Sequence, residues 1–182
     1  RYYQKFNLVD GFTPVGNPHW VDDFSGLSYK TVTDHGFAPA GPGAGMGSIV
    51  DGVYRMSYVN GSPFDPQLVT PNQEISGTQT RYLHARVRMI GYTGLATALS
   101  AAMYSTASGV AATTATFNPN GSWQILHFDM AADADWGGNE NVRLDIPNNS
   151  GIASTDFLNA TLEVDWIAAA SDPAYDGTGR LG

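Results

Sequence analysis

Charged side chains alternate with apolar ones in two short stretches near the end of the sequence, 141–147 and 162–167. These stretches carry Asp145, Glu163 and Asp165. Two carboxylates at a suitable separation could act as the acid and base of a glycosidase, or could bind a divalent cation. The same alternation is typical of a strand with one polar face. On the residues alone, we favour a solvated sheet face with cross-strand ion pairs over a face that binds a ligand.

The remaining polar residues do not complete a catalytic set. The chain has three Glu, and most of its Asp lie in turn-like segments, where they bond to their own backbone. The four His show neither the HExxH spacing nor a triad signature. Because there is no Cys, cysteine nucleophiles, disulfides and Cys-zinc sites are excluded. The Gly-rich tract 36–47 does not follow a strand and open a helix, so it does not predict a nucleotide site. We predict that the protein is not an enzyme.

The overall charge narrows the range of partners. The formal net charge is −8 and the sequence pI is about 4.6, which argues against a nucleic acid partner. No apolar run approaches the length of a membrane span, so we predict no membrane insertion.

Short strand-like segments separated by turns dominate the sequence. Gly and Pro number 21 and 10, and the charged fraction is only 14%. This pattern predicts an all-β protein, specifically an antiparallel β-sandwich. The segment 95–104 is rich in Ala, but its flanking Gly and Thr favour a strand over a helix.

The segment 81–90 shows the clearest alternation. We expect one face of this strand in the core and the other outside. The inward residues are Leu83, Ala85, Val87 and Met89, and the outward residues are Tyr82, His84, Arg86 and Arg88. We likewise place Leu144, Val164 and Trp166 in the core, which turns Arg143, Asp145, Glu163 and Asp165 outward, where Arg and acid side chains can pair across the sheet.

Composition divides the chain into three parts. Residues 1–47 form an irregular, aromatic-rich N-terminal segment, 48–170 form the β-sandwich module, and 171–182 form a tail or linker stub. The chain starts at Arg1 without a Met, which suggests a processed product or a piece of a longer protein.

Several motifs, in their order along the chain, resemble galactose-binding-like jelly rolls. They are DGVYRM from Asp51, FDPQ from Phe64, YLHARVRM from Tyr82, SW at Ser122 with FDM at Phe128, then Trp136, VRLD from Val142 and EVDWI from Glu163. This type of domain occurs as carbohydrate-binding modules beside polysaccharide-degrading enzymes, and similar modules occur in bacteriophage tail and fibre proteins. The resemblance covers about 48–170 and implies two packed antiparallel sheets and non-catalytic glycan binding. One departure lies near Tyr104, where Trp is the more usual aromatic.

Sugar binding would require aromatic rings for the apolar face of a pyranose and planar polar groups for its hydroxyls. The candidate rings are Trp20, Tyr92, Trp123 and Trp136, and the candidate polar partners are His84, Arg86, Arg88 and Asn139. Trp136 stands beside two Gly in a polar loop, so we expect it to be the most exposed.

Clustered carboxylates also permit a structural calcium ion. The candidate ligands are Asp22, Asp23 and Asp165, with Asp133 and Asp135 in a nearby loop. Turn chemistry alone accounts for such clusters more often than a metal does.

Three functions remain open. The first is a carbohydrate-binding module of a larger secreted or surface protein, with a polysaccharide or glycan as its partner. The second is a structural module of a virion, in a phage tail, fibre or capsid-associated protein, whose partners are other subunits of the assembly. The third is a polysaccharide lyase or hydrolase. The corresponding locations are extracellular, cell surface or virion.

Overall fold

The computed structural model describes residues 20–22, 37–69, 73–75, 80–105, 111–132, 136, 138–140, 142–148 and 151–177. In these ranges the chain forms two large antiparallel sheets and one small two-stranded sheet. The strands are β1 (Trp20–Asp22), β2 (Ala38–Ala40), β3 (Ala44–Val50), β4 (Val53–Tyr58), β5 (Gln67–Val69), β6 (Gln73–Ile75), β7 (Tyr82–Ile90), β8 (Leu99–Ser105), β9 (Ala111–Phe117), β10 (Gln124–Asp129), β11 (Gly138–Glu140), β12 (Val142–Asp145) and β13 (Thr161–Ala170). Two short 3₁₀ turns, Met130–Ala132 and Ser154–Phe157, also lie in the described ranges.

The two large sheets face each other as a sandwich. The six-stranded sheet has the order β10-β7-β13-β4-β3, with β1 added beside β13. The five-stranded sheet has the order β2-β5-β12-β8-β9, and the small sheet pairs β11 with β6. The predicted all-β antiparallel sandwich is therefore confirmed. No helix among the described residues is long and apolar enough to cross a membrane.

The core lies between the sheets and follows the period of two that strands impose. In β7 the four residues predicted to face inward are all buried, and β4 buries alternate residues in the same way. The five-stranded sheet contributes apolar side chains from β8, β9 and β12 to the same cluster. The segment 99–105 is a strand, as its flanking residues predicted.

β13 is the centre of the six-stranded sheet. It pairs with β7 along its length, with β4 through its first half and with β1 through its second half. The register with β7 shifts between Val164 and Trp166, so Asp165 is the extra residue of a β-bulge. Before the bulge, Leu162 and Val164 face the main core, and after it the inward residues are Ile167 and Ala169.

The bulge corrects our placement of Trp166. We predicted that Trp166 faces the core between the sheets, but the extra residue turns it to the outer face of the six-stranded sheet. It is nevertheless only 2% exposed, because residues 171–177 cover it. We call residues 171–177 the C-terminal strap. Its Tyr175 packs on Trp166 together with Ala168 and Ala170.

The sheets also extend towards the N terminus beyond the predicted start at residue 48. β2 pairs with β5, and β1 pairs with β13, while Phe37 is buried in the main core. The division into three parts is otherwise untested and stays a prediction, since 1–19, 23–36 and 178–182 lie outside the described residues.

Two turn glycines differ in their surroundings and allow a test of the loop that precedes β3. Gly41 has φ +76°, and a Cβ there would lie 2.3 Å from the backbone oxygen of Asp65, whereas Gly151 has φ +86° and open space around it. We expect Gly151→Ala to cost about 1 kcal/mol from the left-handed backbone alone. Gly41→Ala should cost about 2 to 4 kcal/mol, because the overlap adds to the same strain.

Urea unfolding of both variants measures this difference. Equal losses of stability in the two variants would show that the Gly41 loop yields without strain and does not hold Asp65 in place.

Candidate functional site

A polar and aromatic cluster lies on the outer face of the five-stranded sheet. Arg143 on β12 is directly opposite Tyr104 on β8, and its guanidinium carbon lies 4.3 Å from the centre of the Tyr104 ring. The Arg143 Nε and Nη2 atoms donate to the Asp145 carboxylate, at 2.8 Å to Oδ1 and 2.5 Å to Oδ2. This bidentate contact fixes the guanidinium plane of Arg143 against the Tyr104 ring.

Asp145 is the most enclosed member of this cluster, with no exposed surface. Burial raises the pKa of its carboxyl, the bonds from Arg143 act in the opposite direction, and the charge of Asp65 adds to the rise. The pKa of Arg143 is raised by its hydrogen bond to Asp145. Asp145 is thus a buried charge that Arg143 compensates. Removal of Arg143 would leave the Asp145 carboxylate buried without a counterion.

Amide side chains surround the pair. The Tyr104 hydroxyl donates to Asn148 Oδ1 at 3.1 Å, and the Asn148 backbone N–H donates to the Ser100 carbonyl at 2.7 Å. Gln67 lies opposite Asp145 on β5 and donates to Asp65 Oδ2 at 2.6 Å. We define Tyr104, Arg143, Asp145, Gln67, Asp65 and Asn148 as the Tyr104 cluster.

Solvent reaches this face of the sheet. Gln67, Tyr104 and Arg143 are partly exposed, and Thr114 and Thr116 on the neighbouring β9 are exposed. The cluster offers an aromatic ring, a planar cation and amides that both donate and accept, which is the chemistry that hydroxyl-rich ligands require. Because the Asp145 carboxylate is already in a salt bridge with Arg143, the geometry favours ligand binding over acid–base catalysis.

The outer face of the six-stranded sheet carries a second charged group. Glu163 on β13 binds Arg88 Nη2 at 2.6 Å and Arg55 Nε at 2.8 Å, and Asp165 pairs with Arg86. The predicted cross-strand pairing of Arg and acid side chains is therefore confirmed. Glu163 points outward as expected but is only 3% exposed, because the two guanidinium groups cover it.

Trp123 belongs to the same surface. Its ring centre lies 4.7 Å from the Arg86 guanidinium carbon and 4.5 Å from that of Arg88. The structure therefore unites three of the predicted ligand-binding residues, but the indole is already engaged by two cations.

The other predicted ligand-binding residues lie apart from this surface. Trp136 packs against the main core, and its indole N–H donates to the Thr80 carbonyl at 2.8 Å. Tyr92 packs on Phe157, with ring centres 4.9 Å apart. His84 has no exposed surface. The side chains of Trp20 and Asn139 lie outside the described residues, so a binding role for them stays a prediction.

The calcium site also stays a prediction. Asp165 is engaged by Arg86, while Asp23, Asp133 and Asp135, and the side chain of Asp22, lie outside the described residues. Within the described part of the chain, no group of three or more His, Asp or Glu side chains could hold a metal ion.

The Arg143–Asp145 pair gives a pH-dependent prediction. Arg143→Met should lower the free energy of unfolding at pH 7 by about 3 to 5 kcal/mol, because Asp145 is left buried and charged. When the pKa of a carboxyl is higher in the folded than in the unfolded protein, its protonation stabilises the folded state. The stability deficit of the variant relative to the parent protein should therefore shrink as the pH falls towards 4.

Urea unfolding at pH 7 and pH 4 measures the deficit. The double variant Arg143→Met/Asp145→Leu removes both charges and should recover most of the stability. A deficit of the same size at both pH values would contradict a buried carboxylate as its cause.

No protein-family model matches the sequence, and no curated protein sequence matches it. Solved structures do resemble it. The family 11 carbohydrate-binding module from Clostridium thermocellum, in complex with a β-1,3-1,4-mixed-linked tetrasaccharide, is 13% identical with a TM-score of 0.54, over 87% of this chain and 98% of that one. CsCBM6-3 from Clostridium stercorarium, in complex with cellobiose, is 14% identical with a TM-score of 0.47, over 78% and 92% of the two chains.

A family 43 arabinoxylan arabinofuranohydrolase from Bacillus subtilis, in complex with cellotetraose, is 9% identical with a TM-score of 0.45, and the match covers 71% of this chain and 25% of that enzyme. At these identities the likeness concerns the fold, and it is the family 11 module that supports it. The chain is an antiparallel β-sandwich with the jelly-roll fold found in carbohydrate-binding modules.

Proposed function

We propose that this protein is a non-catalytic carbohydrate-binding module and that the Tyr104 cluster is its glycan site. The observation that carries the proposal is the stacked Tyr104–Arg143 pair, bordered by amides, on a solvent-reached face of the jelly roll. An aromatic ring accepts the apolar face of a pyranose, and the planar guanidinium and amide groups bond its hydroxyls.

The competing surface, at Trp123, fits a sugar less well. Trp123 has two guanidinium carbons within 5 Å of its ring centre, and these cations are in turn paired with Glu163 and Asp165. One guanidinium group, that of Arg143, lies over the Tyr104 ring, whereas two lie over Trp123, so a sugar at the Tyr104 cluster would have to displace fewer existing contacts.

Charge indicates the class of glycan. The Tyr104 cluster contains one Arg and the two acids Asp65 and Asp145, in a chain with a net charge of −8. Because this field repels polyanions, a neutral polysaccharide is the expected ligand. The family 11 module was solved with a β-1,3-1,4-mixed-linked tetrasaccharide, which makes soluble mixed-linked glucan the first probe.

The wider setting follows from the same proposal. A module that binds polysaccharide works where polysaccharide is found, as part of a larger secreted or surface protein. A structural calcium ion bound through Asp22, Asp23 or Asp165 would stabilise the second half of β13, where β1 pairs with it.

Binding is tested by affinity electrophoresis on a panel of neutral glycans, namely mixed-linked glucan, xylan and galactomannan, followed by calorimetry on any ligand found. Tyr104→Ala should weaken binding at least about tenfold, equivalent to about 1.4 kcal/mol. Tyr104→Phe keeps the ring and loses only the bond to Asn148, so it should retain most of the affinity.

Tyr82→Ala is the matched control, since it removes a Tyr ring from the outer face of the other sheet. If no glycan in the panel binds, the proposal fails, and the structural module of a virion assembly becomes the better explanation. If Tyr104→Ala binds normally while Trp123→Ala does not, the site belongs to the six-stranded sheet instead.

A further inference from the structure

The C-terminal strap covers an aromatic patch on the outer face of the six-stranded sheet. Tyr175 lies edge-on to Trp166, with ring centres 5.6 Å apart, and its ring centre is 5.8 Å from that of His84. The Gly177 backbone rests on the indole, because a Cβ added there would be 3.1 Å from the ring. The strap thus keeps Trp166 at 2% exposure.

Two histidines meet at one side of this cover, where His84 is buried and His127 is exposed. His84 on β7 and His127 on β10 are opposite each other, and their Nδ1 atoms are 2.7 Å apart. Only one proton fits between two nitrogen atoms at this distance, so one ring donates and the other accepts. If both Nδ1 atoms carried protons, the contact would have to break.

The charges around the pair do not supply a strong counterion. On β7 the neighbours are Tyr82 and Arg86, and Arg86 is paired with Asp165. On β10 the acid is Asp129, which Arg81 binds at 2.5 Å.

The strap and β13 complete these surroundings. On β13 the residue opposite His84 is Ala168, which carries no charge. The strap carries two acids, Asp172 and Asp176, and it is the charge of Asp172 that acts on both histidines.

Burial outweighs this attraction. The pKa of His84 is lowered to about 4, first by burial and then by His127, although Asp172 raises it, and burial also lowers the pKa of His127. A His with a depressed pKa favours the closed state only while it is neutral. The closed state is therefore fully favoured above about pH 6.5 and loses this contribution as the pH falls towards 4.

We propose that the strap is a pH-sensitive cover: protonation of the His84–His127 pair releases residues 171–177 from the sheet and exposes Trp166 and Tyr175. The sandwich core is not part of this opening, since the patch forms a cluster separate from the main core. The proposal does not depend on glycan binding at the opposite sheet.

The absence of Cys in the sequence permits a direct test with single reporter thiols. Ala168→Cys places a thiol beneath the strap, and Ala101→Cys places one in the main core, at two positions that both have no exposed surface. Labelling by 4,4′-dithiodipyridine, which reacts in acid, is normalised to a free thiol at each pH. Between pH 7 and pH 4.5 we expect the Ala168→Cys rate to rise about tenfold or more, since each unit of pKa difference is a factor of ten. The Ala101→Cys rate should not change.

Variants of the pair identify the proton acceptor. In the Ala168→Cys protein, the double substitution His84→Leu/His127→Gln should abolish the increase in labelling rate at acidic pH. Asp172→Asn keeps an oxygen for the bond to the Ala174 N–H but loses the charge that raises the pKa of both histidines in the closed state, so the rise should become larger and continue to a lower pH. If His84→Leu fails to fold, as judged by circular dichroism, His127→Gln alone should make the rise smaller, because it removes one titrating ring and the charge that lowers the pKa of His84. A rate that is flat with pH in the Ala168→Cys protein, or a rise of undiminished size after these His substitutions, overturns the proposal.

Discussion

The single extra residue in β13, Asp165, determines what each face of the six-stranded sheet contains. A strand alternates its side chains strictly, so one inserted residue exchanges the two faces for all that follows. Without the bulge, Trp166 would compete with core side chains and Ile167 would face outward. With it, Ile167 and Ala169 lie in the main core, and Trp166 becomes the base of a second small cluster that the strap covers.

Both outer faces are built on the same local unit, an Arg stacked on an aromatic ring and bonded to a nearly buried acid. Arg143 combines Tyr104 with Asp145, and Arg88 combines Trp123 with Glu163. A buried acid of this kind contributes little net stability, but it makes the Arg position obligatory, because an unpaired charge there costs several kcal/mol. The consequence is a rigid arrangement of side chains on the surface of each sheet.

The sequence contained enough to predict the sandwich but not its two clusters. Alternation in 81–90 correctly identified the inward face of β7, and the outward Arg and acid side chains do pair. Trp166 was misplaced because a bulge leaves no mark in a pattern read with a fixed period. The Tyr104 cluster was not foreseen as a unit, since its members come from β5, β8, β12 and the loops that adjoin β5 and β12. Arg143 and Asp145 were identified as outward, but their contact with Tyr104 depends on the register of β8 against β12, which composition does not encode.

Pre-arrangement of its side chains supports the Tyr104 cluster as the proposed glycan site. Binding a sugar normally requires that long side chains lose rotamer freedom, at about 0.5 to 1.5 kcal/mol for each one immobilised. Here Arg143 is held by Asp145, Gln67 by Asp65 and Tyr104 by Asn148 before any ligand arrives. The folding of β5, β8 and β12 has already ordered these groups, so contacts with hydroxyls contribute to affinity with little offset. The same rigidity would limit the proposed site to ligands whose hydroxyls match a fixed pattern, and so would make it selective.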